Sequence, residues 1–277
     1  MDARSLLFVP ATSVHLLAKA AQRGADALIV DLEDAVPMDR KAPARQMAAQ
    51  AIEQLVGQAG VLVRVNSAPE LVREDVQCLP LHHLQAVLLP KVESAAQVQE
   101  LARLLAQRQA PGAAPVPIAA LIETPLGVLR AESIATAHQS VCALGFGAED
   151  YASEMLVEPQ PQSLLWAAQA VTNCARAFRL ASWGLPGSVA EISDMDGFAA
   201  LVKQARAVGF SGTVCIHPRQ IPVANAGFGP TPQELAWARK VLAADEEARA
   251  RGLGAVTLDG RMIDRPIVER ARRWLKV

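Results

Sequence analysis

The sequence predicts an α/β barrel of eight parallel strands, each followed by a helix, and three observations support this fold class. The chain has 277 residues, and a single barrel of this kind typically has about 250. Apolar residues make up 51% of the chain and aromatic residues only 4%, as expected for aliphatic strands covered by alanine-rich helices. Short apolar runs also alternate with segments of helical periodicity.

Seven apolar runs are predicted to be strands. Each is apolar throughout rather than alternating, which is typical of strands buried on both faces. They are Leu6–Val9, Ala27–Val30, Val61–Val65, Ala86–Leu89, Ile118–Ile122, Val141–Leu144 and Thr213–Ile216. The eighth strand lies either near Leu180–Trp183 or near Gly187–Ile192. A doubly wound open sheet is the alternative, but it predicts a glycine-rich turn after the first strand, and the sequence there is Pro10-Ala11-Thr12-Ser13.

Helix start signals separate these runs. Ser94 with Gln97 three residues later forms a capping box, and Thr231 with Glu234 forms a second one that has proline at the first helical position. The first should begin a helix that buries Val98, Leu101, Ala102 and Leu105. A further helix is predicted after Asp194, with Phe198, Leu201, Val202 and Ala205 on its buried face.

We expect the catalytic barrel to occupy residues 1–220 and a C-terminal extension to occupy residues 221–277, the two forming one domain overall. Residues 218–232 contain four prolines and two glycines, so a long loop is predicted there. Beyond it follow a helix, a short segment Val256–Ile263 and a last helix from about Pro266 to Leu275. This extension should pack on the barrel or on a neighbouring subunit.

Charge and composition exclude several classes of partner. The net charge is −1, whereas nucleic acids and anionic membranes attract proteins with a basic excess. We find no apolar run of about 18 residues and no signal-peptide pattern. The four cysteines, Cys78, Cys142, Cys174 and Cys215, lack metal or redox spacing. These features predict a cytoplasmic protein that acts on small molecules.

Polar residues follow the predicted strands at one end, which is where βα loops carry the active sites of barrels. Acids dominate among them. Glu33 and Asp34 follow the second strand, Arg64 ends the third, and Lys91 and Glu93 follow the fourth. Glu123 follows the fifth strand, Glu149 and Asp150 follow the sixth, and His217 follows the last.

Clustered carboxylates repel one another unless a cation lies between them. Because they are oxygen ligands, a hard cation such as Mg²⁺ suits them best. Glu123 and Asp150 are the favoured ligand pair. Arg64 is predicted to bind an anion, since a guanidinium can hold a carboxylate through two parallel hydrogen bonds. Asp34, Glu93 and Glu149 taken singly fit helix caps or ion pairs equally well, and His217 fits a structural role as well as a ligand or base.

Taken together, these motifs resemble the citrate lyase beta-subunit family, within the superfamily of metal-dependent hydroxy-keto-acid aldolases. The ordered set of matching segments spans nearly the whole chain: Arg4–Pro10, Gly24–Ala27, Asp31–Val36, Val63–Asn66, Leu89–Ser94, Leu121–Thr124, Gly147–Asp150, Cys215–Pro218 and Leu258–Pro266.

The resemblance implies a TIM barrel that binds Mg²⁺, or Mn²⁺ in its place, and cleaves a carbon–carbon bond of a 3-hydroxyacyl-CoA thioester such as citryl-, citramalyl- or malyl-CoA. It implies Glu123 and Asp150 as metal ligands, with Glu123 also near the substrate. Arg64 would hold the keto-acid oxygens, and Glu33 and Asp34 would order metal-bound water. Asp264 would reach the active site of a neighbouring subunit, which implies a homo-oligomer, either a trimer or a hexamer.

Two segments depart from the family pattern, namely Ala11–His15 after the first strand and Leu185–Ser188 near the seventh. They leave the acyl group and the CoA preference open. The alternatives are an aldolase for free hydroxy-keto acids, a thioesterase for malyl-CoA-like substrates, and a lapsed barrel that binds a metabolite. Lys91 as a Schiff-base lysine is a rival on residue type alone, which the metal chemistry makes unnecessary.

Overall fold

The computed structural model of the chain describes residues 3–276, without the side chains of residues 14 and 18. The chain divides between Phe228 and Gly229 into two compact units. The first unit contains the parallel sheet, and the second contains helices and a small hairpin.

Within residues 3–228, eight strands form a parallel sheet in which sequence neighbours pair and the last strand pairs with the first. Main-chain contacts between Trp183 and Gly212 nearly close the sheet into a barrel. The fold class predicted from the sequence is therefore confirmed. The strands are β1 Ser5–Pro10, β2 Ala27–Asp31, β3 Val61–Arg64, β4 Ala86–Leu89, β5 Ile118–Ile122, β6 Val141–Phe146, β7 Ala181–Gly184 and β8 Thr213–Cys215.

Helices connect these strands and cover the outside of the barrel. In chain order they are α1 Val14–Ala21, α2 Lys41–Leu55, α3 Pro69–Cys78, α4 Ala95–Arg108, α5 Pro125–Leu129, α6 Ala131–Ala135, α7 Ala148–Met155, α8 Pro161–Ala177, α9 Met195–Val208 and α10 Gln220–Phe228. Two short 3₁₀ turns, Met38–Arg40 and Leu81–His83, precede α2 and β4. None of the described helices is long and apolar enough to cross a membrane.

The structure decides between the two sequence predictions for the seventh strand, since β7 matches Leu180–Trp183 and not Gly187–Ile192. The predicted long loop at residues 218–232 is wrong, because α10 occupies most of it. Pro222 is the third residue of this helix, where a proline is tolerated because the first-turn amides have no partner within the helix.

The barrel interior is filled by alternate residues of the strands, since successive side chains of a strand point to opposite faces. Leu6, Ala27, Ile29, Leu62, Ala86, Leu88, Ala119, Leu121, Ala143 and Trp183 form this inner cluster. The intervening residues face the helices and form a larger cluster. The next inward-facing residue of each strand, beyond this inner cluster, therefore lies at the carboxyl end of the barrel. There the side chains from different strands come close together.

The second unit has its own small core. Helix α11 (Pro232–Ala250) packs against α12 (Arg265–Leu275), and the strands β9 (Val256–Leu258) and β10 (Arg261–Ile263) form an antiparallel hairpin. Ala238, Val241, Ile263, Val268 and Ala271 are buried between these elements. The capping box at Thr231 is confirmed, since Thr231 N donates to Glu234 Oε2 at 2.7 Å and Glu234 N to Thr231 Oγ1 at 3.1 Å.

Candidate active site

Three polar residues extend the inward-facing series of the barrel. Asp31 follows Ala27 and Ile29 on β2, Arg64 follows Leu62 on β3, and Glu123 follows Ala119 and Leu121 on β5. They meet at a cavity of about 470 Å³ at the carboxyl ends of the strands. Acidic side chains and apolar side chains, among them Phe8 and Phe146, line most of it.

The loop after β2 is fixed by two buried charges. The carboxylate of Asp31 accepts hydrogen bonds from Glu33 N at 3.0 Å and from Ala35 N at 3.2 Å. The ammonium group of Lys41 donates to the carbonyls of Leu32 and Glu33, both at 2.7 Å, and its burial lowers its pKa. These bonds set the position of Glu33 and Asp34.

Arg64 lies between acids of this loop. Its Nε and Nη2 donate to the two oxygens of Asp31, both at 2.7 Å, while Nη1 lies 3.1 Å from Glu33 Oε2 and 3.3 Å from Asp34 Oδ2. The guanidinium also lies over the ring of Phe8, 4.7 Å from its centroid. Burial opposes the charge of Arg64, but Asp31 and the other acids raise its pKa. The edge of the guanidinium formed by Nε and Nη2 is thus hydrogen-bonded to Asp31.

One carboxylate oxygen of Glu33 is buried and accepts no hydrogen bond from the described residues. Its side chain is buried, and Oε2 has no hydrogen-bond partner among the described residues. Arg64 Nη1 is near this oxygen, but the pair lacks hydrogen-bond geometry. Burial raises the pKa of Glu33, although Arg64 counteracts this. Such an atom is expected to bind a ligand or water.

Lys91 follows β4 in a left-handed backbone conformation, with φ 50°. Its Nζ lies 3.2 Å from Glu33 Oε1, 3.4 Å from Asp34 Oδ1 and 4.0 Å from Asp150 Oδ1. Burial opposes the charge, but these acids raise the pKa of Lys91. An ammonium group with a raised pKa remains protonated and cannot act as a Schiff-base nucleophile without losing that proton.

Glu123 is buried, and the main chain holds it on two sides. Lys91 N donates to its Oε2 at 2.8 Å, and the backbone of Gly147 lies against its other side. A Cβ atom at residue 147 would lie 2.5 Å from Glu123 Oε1. Burial raises the pKa of Glu123 to about 8, and the nearby Asp150 contributes to this rise.

Helix α7 begins directly after β6 and Gly147, so its first turn borders the cavity. Glu149 and Asp150 both lie in this turn and line the cavity. Ser188 Oγ donates to Glu149 Oε1. Asp150 is half-exposed and its only ion pair among the described residues is with Lys91. Its carboxylate is therefore accessible to a cation.

The described donor set fits a hard divalent cation. Five acids line the cavity, namely Asp31, Asp34, Glu123, Glu149 and Asp150. Glu33 lies beside them, and the basic groups that these acids and Glu33 contact at the cavity are Arg64 and Lys91. The donors are carboxylate oxygens, which Mg²⁺ prefers, and neither a cysteine nor a histidine lines this cavity among the described residues. The buried Glu33 Oε2 without a hydrogen bond supports the same fit.

A buried network of hydrogen bonds joins the loop after β3 to the helices α2 and α3. Asp75 on α3 accepts hydrogen bonds from Asn66 N at 2.8 Å and Asn66 Nδ2 at 2.7 Å through one oxygen. Its other oxygen accepts from Arg45 Nε on α2 at 2.7 Å. The side chain of Asp75 is fully buried, so this network ties the end of β3 to two helices.

The structure brings together five of the six predicted site residues, namely Arg64, Glu33, Asp34, Glu123 and Asp150. The sixth, Asp264, lies in the second unit as the N-cap of α12, and its side chain makes no cap hydrogen bond within the described helix. Glu93 lies at the start of α4, where its amide donates to Gln97 Oε1 at 2.8 Å. His217 Nδ1 accepts from Arg219 N at 3.2 Å in a turn.

Sequence reasoning placed Asp31 in the matching segment Asp31–Val36 but gave it no role in the site, and it missed Lys41. Asp31 had a usable signal, because it continues the alternating series Ala27 and Ile29 toward the strand end. Lys41 had none, since its contact with the loop after β2 depends on how α2 folds back. The atypical segment Leu185–Ser188 borders the cavity through Leu185 and Gly187.

The comparison with family models gives one match over most of the barrel. The model described as HpcH/HpaI aldolase/citrate lyase matches residues 4–218.

Two curated relatives are similar over nearly their whole lengths. The citrate lyase subunit beta-like protein of Deinococcus radiodurans is 37% identical over 98% of this chain and 96% of its own. A (3S)-malyl-CoA thioesterase of Cereibacter sphaeroides is 34% identical over 98% of this chain and 93% of its own.

A solved structure shows the same fold. The CitE protein of Mycobacterium tuberculosis, in complex with magnesium, acetoacetate and coenzyme A, superimposes with a TM-score of 0.81 and 32% identity. The match covers 99% of this chain and 97% of that one.

Proposed function

Because the chain belongs to the HpcH/HpaI aldolase/citrate lyase family, we propose that it is a Mg²⁺-dependent carbon–carbon lyase. Its substrate is a 3-hydroxyacyl-CoA thioester, which it cleaves to a keto acid and an acyl-CoA. The observation that carries the proposal is the group of carboxylates that lines the cavity around Arg64, next to which the buried Glu33 Oε2 lacks a hydrogen-bond partner among the described residues.

The cation is proposed to bind between Glu123 and Asp150. Glu123 Oε2 is occupied by the Lys91 amide, which leaves Oε1 for the cation, and Asp150 is half-exposed at the cavity. When bound, Mg²⁺ or Mn²⁺ supplies a Lewis acid that stabilises the developing keto-acid carbonyl. CitE of M. tuberculosis, which was solved with magnesium, supports this part of the proposal.

Arg64 is proposed to hold the carboxylate of the keto-acid half of the substrate. Because Asp31 occupies Nε and one N–H of Nη2, the substrate would bind at the remaining N–H groups of Nη1 and Nη2. These lie on the cavity side, where Glu33 and Asp34 now meet Nη1. The rigid pair with Asp31 orients the guanidinium before the substrate arrives, which lowers the cost of binding.

Proton transfer completes the proposed reaction. The substrate hydroxyl loses its proton as the carbon–carbon bond breaks, and the bond electrons move onto the thioester as an enolate. Glu33 and Asp34 lie where they could take that proton, directly or through water, since both contact Arg64. The enolate carbon then gains a proton from an acid, for which we propose Asp264 of a neighbouring subunit, as the family resemblance implies.

Thioester hydrolysis of a malyl-CoA-like substrate is the second candidate function. The observation that favours it is the similarity to a (3S)-malyl-CoA thioesterase over 98% of this chain. Both reactions use a CoA thioester of a hydroxy acid. They differ in whether the carbon–carbon bond or the thioester bond breaks.

A substrate screen tests the proposal. Citryl-, citramalyl- and malyl-CoA would each be incubated with the protein and Mg²⁺, with the keto acid, the acyl-CoA and free CoA followed together. A lyase releases a keto acid and an acyl-CoA in equal amounts without free CoA. Free CoA with an intact hydroxy acid would replace the lyase proposal by the thioesterase. Turnover of free hydroxy-keto acids alone would indicate an aldolase, and no turnover of any substrate would favour a lapsed barrel.

A further inference from the structure

A cluster of three side chains lies at the end of the barrel opposite the active-site cavity. Glu53 is near the C-terminus of α2, and His82 and His83 form the 3₁₀ turn that leads into β4. Since both segments lie before the amino ends of strands, they are remote from the carboxyl ends that carry Arg64 and Glu123. The cluster therefore has no part in the proposed lyase chemistry.

The geometry of the cluster suits a small metal ion. One ligand atom from each of the three residues can be chosen so that all lie within 4.8 Å of one another. His83 Nε2 is 3.8 Å from Glu53 Oε2, and the two imidazole rings have centroids 3.8 Å apart. In a tetrahedral site with bonds of about 2.0–2.1 Å, ligand atoms lie about 3.4 Å apart. Small rotations of the exposed Glu53 and His82 side chains would bring the ligand atoms to this tetrahedral spacing.

The chemistry of the donors selects the metal. Two imidazole nitrogens and one carboxylate oxygen suit Zn²⁺ and related first-row ions, whereas Mg²⁺ prefers oxygen ligands. Glu53 and His82 also line an open cavity of about 670 Å³, so an ion bound there could keep water in its remaining position. The active-site cavity, lined by carboxylates, has the opposite preference.

We propose that Glu53, His82 and His83 form a second metal site, specific for a Zn²⁺-like ion, that ties the C-terminus of α2 to the turn before β4. Its neighbour Cys78 lines the same cavity and is exposed, but it is not part of the proposed ligand set. The guanidinium of Arg108, which also lines the cavity, is held by the carbonyls of Val76 and Gln77 at the end of α3.

Titration of the full-length protein with Zn²⁺ in excess Mg²⁺ tests the proposal, since Mg²⁺ keeps the carboxylate site filled. We expect one Zn²⁺ per chain, bound at least ten-fold more weakly by His82→Ala, His83→Gln and Glu53→Gln. The matched control His15→Ala, an exposed histidine on α1, should bind as the wild type does. Zn²⁺ should also raise the Tm of the wild type and of the control but not that of His82→Ala.

Three results would overturn the proposal. The first is unchanged Zn²⁺ binding in His82→Ala and His83→Gln. The second is loss of binding in Cys78→Ser but not in the histidine variants, which would indicate a thiolate site. The third is loss in Asp150→Asn alone, which would place the ion at the carboxylate cavity. Circular dichroism of each variant confirms that the barrel has folded, so that weakened binding can be assigned to the missing ligand.

Discussion

The backbone of Gly147 lies so close to Glu123 that a Cβ atom at position 147 would be 2.5 Å from Oε1 and 2.6 Å from Cγ of that glutamate. On the other side, the Lys91 amide holds Oε2. Glu123 is thus confined between two main-chain segments that follow β4 and β6, the strands on either side of β5. Its carboxylate has one position, which depends on the absence of a side chain at residue 147.

We expect Gly147→Ala to lower kcat/KM about 100-fold, because displacing a reacting or ligating group by about 1 Å has an effect of this size. Gly147 has an ordinary negative φ, so the backbone accepts alanine and the effect should come from Glu123. Steady-state kinetics with the substrate found in the screen measures it. The control is Gly254→Ala, where a Cβ atom meets nothing within 4 Å. Equal kinetics in both variants would contradict the confinement of Glu123.

Replacing either proposed metal ligand should abolish turnover and leave the fold intact. In Glu123→Gln and Asp150→Asn the side chain keeps its size and shape but loses the negative charge that attracts the cation. Above pH 8, where the Glu123 carboxylate is charged in the metal-free protein, Glu123→Gln should have a Tm equal to that of the wild type or higher, since burial of the charged form is unfavourable and raises the pKa of Glu123 to about 8. Mg²⁺ should raise the Tm of the wild type only. Undiminished activity in either variant would rule out the proposed ligand pair.

Asp31 is expected to act as a positioning residue for Arg64. In Asp31→Asn the two charge-assisted hydrogen bonds from Nε and Nη2 cannot both form, because one amide atom is a donor. The guanidinium should then lose its fixed orientation. We expect KM for the substrate to rise at least ten-fold, while the affinity for Mg²⁺, measured by thermal shift, stays near that of the wild type. A parallel loss of Mg²⁺ affinity would instead indicate a general loosening of the site.

The stability of the barrel should depend strongly on Asp75. Its removal in Asp75→Ala leaves the Asn66 amide groups and Arg45 Nε buried without their acceptor, and breaking a buried ion pair in this way costs about 3–5 kcal/mol. Glu74 provides a matched control, since it pairs with the same Arg45 at 2.6 Å but its side chain is 57% exposed. Glu74→Gln should cost less than about 1 kcal/mol. Urea denaturation of both variants gives the two free energies of unfolding, and similar values would refute this difference.

The barrel was predictable because its strands are continuously apolar. The end that carries the proposed site was predictable because charged residues follow several of these strands. Arg64 and Glu123 stand out in the sequence as polar residues that directly follow apolar runs. The contacts that orient them are not visible there. Lys41 reaches the loop after β2 only because α2 folds back over it. Gly147 restricts Glu123 only because the pairing of β5 with β6 places Ile122 beside Phe146. The helix α10 was missed because Pro222 and the prolines on both sides of the helix outweighed its apolar residues as a local signal.

The proposed role of Asp264 predicts that active sites are shared between subunits. Asp264→Ala and Arg64→Ala should each be inactive alone. Co-expressed in equal amounts with different tags, they should assemble into mixed oligomers, in which about a quarter to a third of the sites combine an intact Arg64 with an intact Asp264 from the neighbour. Activity of the doubly purified oligomers measures this, and an oligomer of Arg64→Ala chains carrying two tags is the control. Mixed oligomers without activity would mean that Asp264 serves the site of its own chain or none, and that the enolate carbon takes its proton from another acid.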